Sequence, residues 1–141
     1  MNNGREVLET WFRRVWKEQD QTAIEDMFPS MGEATGLGKH ALIGPEDFKQ
    51  FQAALIDLIP NIEITIDKSI EEGPWISAMC TLSGNSKAGH AVSITGNATG
   101  RIENGKILEA YNHWDFMSLW GQLGLLPGDC FERGLRGEKV V

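Results

Sequence analysis

At Pro60 the spacing of apolar residues changes from that of helices to that of strands, and this switch limits the folds open to the chain. Before it, Leu8, Trp11, Phe12, Val15 and Trp16 recur at helical spacing across residues 5–18. "TAIEDMF" predicts a second, short helix ending at Phe28-Pro29. Gly44-Pro45-Glu46-Asp47 has proline in the first turn and acids facing the helix dipole, so it opens a third helix. Phe48, Phe51, Leu55, Ile56 and Ile59 carry that helix to Pro60, which stops it. Between these helices, "SMGEATGLGKHALIG" is glycine-rich and predicts a loop with one brief strand near residues 33–37.

After Pro60 the period is two. In "NIEITIDKSI", Ile62, Ile64 and Ile66 alternate with Glu63, Thr65 and Asp67, the mark of a half-buried strand. "WISAMCTLSG", "HAVSITGNATGRIE" and "KILEAYNHWD" supply three more strands, and Asn104-Gly105 marks a tight hairpin between the last two. Phe116, Leu119, Trp120 and Leu123 then predict a short helix ended by Gly124 and Pro127. Residues 128–141 are polar and weakly patterned and read as a loose tail. Helices followed by an antiparallel meander give an α+β class, one domain of 1–141 with its core in 5–127. Glycines 84, 89, 96 and 100 fall in or beside strands and permit sharp bending, so the expected shape is a cone with a mouth.

The net charge of −7 argues against nucleic acid or an anionic membrane as the main partner, because both reward Lys and Arg. Cys80 and Cys130 form neither a disulfide framework nor a zinc pattern, so no metal is expected. The first helix is charged and amphipathic, unlike a signal peptide. No apolar run approaches the ~18 residues of a membrane span, and the cytoplasm is the default location.

Trp75 to Gly84, "TGNATGRIENGKILEAYNHWD" and "QLGLLP" resemble, in order and spacing, the SnoaL-like polyketide cyclases, a group with the fold of nuclear transport factor two. "VWKEQD" and "GPEDFKQFQAALIDLIPNIEITID" match the same family's helices and first long strand. The resemblance covers about residues 5–127. It implies a cone-shaped α+β barrel, commonly dimeric, with a ligand cavity between sheet and helices. It implies chemistry without metal or cofactor, and an acid of a Trp-Asp pair facing the cavity as general acid/base of an intramolecular aldol closure. On this chain that acid is Asp115. A short "SGNSKAGHAVS" loop, and Thr35 where relatives often carry His, are departures.

Aldol closure requires removal of a proton next to a carbonyl. Burial between Trp114 and Phe116 would make Asp115 reluctant to ionise, and therefore a usable base. The alternative is structural: an acid between a strand and a helix is a natural N-cap. Alternation places Tyr111 and His113 on the face of Asp115. His113 could share its proton, and Tyr111 could donate to a substrate oxygen. Asn97 and Arg101 share a face of the neighbouring strand and could hold an enolate oxygen, with a cross-strand pair to Glu109 as the other reading of Arg101. Trp11 and Trp114 are candidate walls for a flat, hydrophobic substrate, with Trp11 and Trp16 first of all core. His40 and His90 read as surface histidines. Three functions follow: a cofactor-free cyclase or isomerase acting on an enolisable molecule, an epoxide-hydrolase-like enzyme of the same fold, or a small-molecule-binding or dimerisation module without turnover.

Overall fold

The computed structural model describes residues 3–141. Helix α1 (Gly4–Phe12) starts where the Asn3 side chain accepts the Glu6 N–H, and runs on as a π-helical turn, Arg13–Lys17. Asp20 caps α2 (Gln21–Met27) in the same way. Strands β1 (Glu33–Thr35) and β2 (Leu42–Ile43) precede α3 (Gly44–Leu58), which carries Pro45 in its first turn. Four long strands follow: β3 (Glu63–Glu72), β4 (Trp75–Asn85), β5 (Ala91–Glu103) and β6 (Lys106–Trp114). Two short helices close the chain, α4 (Phe116–Gln122) and α5 (Cys130–Leu135).

The expected α+β class is found. Six strands form one sheet in the order β2-β1-β6-β5-β4-β3, antiparallel except where β1 runs parallel to β6. Asn104 and Gly105 both take positive φ, as the predicted tight hairpin requires. Alternation decides which face is buried. On β4, Ile76, Ala78, Cys80 and Leu82 point inward under the helices, while Ser77, Met79 and Thr81 face out. On β5, Val92, Ile94 and Ala98 do the same. From the helical side Leu8, Trp11, Phe12, Val15, Trp16, Phe28, Phe48 and Leu55 complete the core.

Two expectations are met in part and one is corrected. The strand order runs from β2 at one edge to β3 at the other, and among the described residues no strand pairing joins these edges into the expected barrel. The brief strand expected near 33–37 is found as β1, and a second, β2 at Leu42–Ile43, was not expected; two residues paired to a neighbour are too few to show a period. The expected loose tail contains α5, whose Cys130 is buried against the body of the fold. A six-residue helix braced by an Arg133–Asp129 pair at 2.9 Å offers too few turns for a visible apolar stripe.

Candidate ligand-binding site

Between the inner face of the sheet and the helices lies a cavity with an almost wholly apolar wall. Helix α1 and the π-turn contribute Leu8, Trp11, Phe12 and Trp16, and α3 contributes Phe48, Phe51 and Leu55. From the sheet come Ile76, Leu82, Ala98, Ile107, Ala110, Asn112 and Trp114, with Leu37 and Phe116 from the flanking segments. The space within the wall is about 710 Å³ when the open mouth is counted, but the part a water molecule's centre can reach is only about 60 Å³. The smaller figure measures what is free, roughly four or five waters. A ring system therefore enters only if side chains of the wall move.

The aromatic rings of the wall brace one another. Trp11 meets Phe48 edge-on at 5.0 Å, and Trp16 meets Phe51 edge-on at 5.8 Å. Trp114 lies across β5 at Gly96, where a Cβ would fall 2.4 Å from the indole carbons, so glycine is what lets the ring lie there. Leu37 sits between Gly36 and Gly38, both with positive φ, and a Cβ on Gly36 would strike the Asn112 carbonyl oxygen at 1.8 Å. This glycine pair turns Leu37 into the wall.

Among the described residues, no titratable side chain lines the cavity. Its polar groups are Thr99 and Asn112. Thr99 is spent on the other face of the sheet, where its hydroxyl lies 2.9 Å from both Ser77 Oγ and Asn97 Oδ1. Asn112 is the available one. Its Nδ2 donates to the Thr35 carbonyl at 3.1 Å and its Oδ1 accepts the Trp114 indole N–H at 3.4 Å. A primary amide has two N–H groups and two acceptor lone pairs, so one of each is left for a ligand.

The structure divides the residues singled out in the sequence. Trp11 and Trp114 line the cavity. Asp115, His113, Tyr111, Asn97 and Arg101 do not: they lie on or beside the opposite, outer face of the sheet. Asp115 is exposed and caps α4, accepting Ser118 N–H at 3.1 Å and Ser118 Oγ–H at 2.7 Å. The dry surroundings expected for it are absent, because Trp114 turns inward and leaves its neighbour in solvent. With Met79, Asn97 and His113 it borders an open depression, not an enclosed site. His113, His40 and His90 are exposed as well.

Arg101 makes the cross-strand pair: its Nε donates to Glu109 at 2.7 Å and Nη1 donates to Glu103 at 2.8 Å. Tyr111 Oη–H donates to the other Glu109 oxygen at 2.8 Å, and its ring stacks on Trp75. These bonds hold the Glu109 carboxyl below its ordinary pKa, Arg101 first and Tyr111 second, and push the Tyr111 hydroxyl up. Arg101 is therefore held by two acids on the outer face, away from the cavity.

Asn112 was missed in the sequence. The alternation that groups Tyr111, His113 and Asp115 also groups Ala110, Asn112 and Trp114, and nothing in a strand pattern alone says which set faces inward. A small-polar-aromatic face is a weaker apolar signal than the core strands give, but it suits a cavity wall.

Comparison with known proteins agrees with this architecture. The family profile described as SnoaL-like polyketide cyclase matches residues 6–123. No curated protein matches the chain. Among solved structures, a candidate polyketide cyclase from Bacillus cereus is similar at 22% identity, with 82% of this chain and 76% of that one aligned and a TM-score of 0.73. A candidate SnoaL-like polyketide cyclase from Jannaschia is similar at 17% identity, over 87% and 92% of the two chains, with a TM-score of 0.76. A Catenulispora acidiphila protein of ketosteroid isomerase-like fold, solved with trimethylamine, is similar at 20% identity, over 90% and 98%, with a TM-score of 0.75. At these identities the structural matches speak to fold, and the profile, spanning most of the sequence, speaks to descent. The chain belongs to the SnoaL-like polyketide cyclase family.

Proposed function

We propose that the protein binds a neutral, flat, largely apolar small molecule of polyketide type in the inner cavity, with Asn112 as its polar contact. One observation carries this reading: an aromatic and aliphatic wall broken by a single available amide. Such a site rewards apolar area and one carbonyl or hydroxyl, and it penalises a charged group that would lose its water without gaining a partner.

Family membership favours turnover as a second reading, ring closure of an enolisable chain without cofactor. In it, the wall holds the chain folded so that two reacting carbons meet, and the free Asn112 N–H polarises a carbonyl oxygen as negative charge develops there. Proton removal would fall to water or to a basic oxygen of the substrate itself, such as an enolate, since Asp115 faces away.

Quenching of tryptophan fluorescence by 1-naphthol tests the site, because the probe is flat and carries one hydroxyl. Asn112→Leu is expected to weaken binding roughly 2- to 10-fold, the worth of one neutral hydrogen bond. Ala98→Phe, which fills the cavity, is expected to abolish it. Binding that survives both changes places the ligand elsewhere. Turnover is read by exchange of a carbon-bound proton with solvent during conversion of a poly-β-ketone. Binding of such a ketone with no product and no exchange leaves a binding protein.

A further inference from the structure

Trp11 and Trp16 both line the cavity, at 5% and 4% exposure, although they are five residues apart. In a regular α-helix that separation turns the second residue roughly 140° from the first, since each residue advances about 100°. The π-helical turn narrows the angle, because its i→i+5 bonds bring residues five apart close to one face. The turn is closed by the Glu18 N–H donating to the Arg13 carbonyl at 2.8 Å, and the Asp20 N–H then reaches the Arg14 carbonyl at 2.9 Å. That sequence of bonds leaves the Val15 carbonyl to a partner from outside the helix. Gln52, on α3, supplies it: Nε2 donates to the Val15 oxygen at 2.8 Å.

Gln52 is 1% exposed and is the one buried polar side chain among the described residues. A buried amide costs free energy that a leucine or methionine would not, so its presence beside Phe48 and Leu55 calls for a compensating bond. The Val15 carbonyl provides that bond and is itself satisfied by it.

We propose that Gln52 is a specificity-determining positioning residue. By holding the Val15 carbonyl it keeps the π-helical turn in place, sets Trp16 into the cavity wall, and so fixes the cavity's width and the size of ligand admitted. The size-selection half of this rests on the binding reading above; the positioning half does not.

The experiment has arms that separate the two. In ligand-free wild-type protein, the Gln52 side-chain N–H groups are expected to resist exchange with solvent and to show proximity to Val15 by NMR; exchange at the rate of an exposed amide overturns the proposal. Gln52→Met keeps length without a donor, and Gln52→Glu keeps shape but points an acceptor at the carbonyl. In whichever folds, the Trp16 indole N–H resonance, assigned with Trp16→Phe, is expected to move, and the Glu18 amide is expected to lose exchange protection. A folded variant with both signals unchanged overturns the positioning role. For size selection, phenol, 1-naphthol and 2-hydroxyanthracene are titrated into wild type and variant. The affinity ratio between largest and smallest is expected to change about tenfold, within the range that small changes in an apolar pocket produce. Ile24→Val, buried away from the cavity, is expected to leave the ratio unchanged. A moved Trp16 with an unchanged ratio overturns the selectivity claim. Wild type that binds none of the three, with Trp16 still displaced in the variants, sinks the binding reading and the selectivity claim while the positioning role stands.

Discussion

Asn112 and Asp115 lie three residues apart and face opposite ways, one toward the cavity and one toward water. At Asp115 the two roles considered from sequence predict different mutants. As a cap, Asp115→Ala is expected to cost about 1 kcal/mol of stability while Asp115→Asn costs little, because asparagine caps as well as aspartate. A general base would show the reverse pattern, with the amide variant inactive. Urea denaturation of both variants beside the proton-exchange turnover assay decides between them. Gly96 is the complementary case, where the absence of a side chain matters. Gly96→Ala pushes a methyl into the Trp114 ring, and overpacking of this kind costs about 1–3 kcal/mol. Its expected signature is a changed tryptophan emission together with a lower midpoint in urea. Cys80 shows burial acting on chemistry: enclosure first, and Asp67 second, push its thiol up to about 12. In native protein at pH 8 it is expected to be inert to an aromatic disulfide reagent and to react only on unfolding.

At the scale of elements, β5 and β6 use their two faces for different purposes. The inner face builds a cavity wall, and the outer face builds a ladder of polar pairs around Arg101, Glu109 and Tyr111. Glu109 has a folded-state pKa below its ordinary value, so its ladder favours the folded chain above the ordinary glutamate range. That contribution is expected to fade as pH falls through the range and below it. Accordingly, the stability gap between wild type and Glu109→Gln is expected to be open at pH 7 and to shrink in acid, read as urea midpoints against pH. Tyr111 is shifted upward by the same pair, so its share persists below the tyrosine range and is lost only in strong alkali. The first helix makes the other lesson of this scale. Its apolar positions announce which side is buried, but the π-turn that aligns Trp16 with Trp11 depends on Gln52 from an element 37 residues away in sequence.

For the whole molecule, no helix among the described residues is long and apolar enough to cross a membrane. The outer sheet face carries Met79, 56% exposed, and the Trp75–Tyr111 stack among hydroxyls and ion pairs. We carry the homodimer forward as a proposal on this face. Its mixed polarity suits a modest, salt-sensitive association better than an obligate one. Light scattering is expected to show a mass that rises with protein concentration, and Met79→Lys is expected to hold the chain as a monomer; a monomer at all concentrations in wild type removes the proposal.

The sequence by itself determined the order and kind of nearly every element, because periods of 3.6 and two, proline stops and the Asn-Gly turn are local properties of the chain. It also carried the family, through motifs spread over most of the length. What it left open was side: which face of β6 looks inward, whether Arg101 meets a ligand or Glu109, whether α5 packs. Alternation is symmetric between the two faces of a strand, and only the helices laid across one of them break that symmetry. The cavity, and the exposure of Asp115 behind it, exist only once that packing is made.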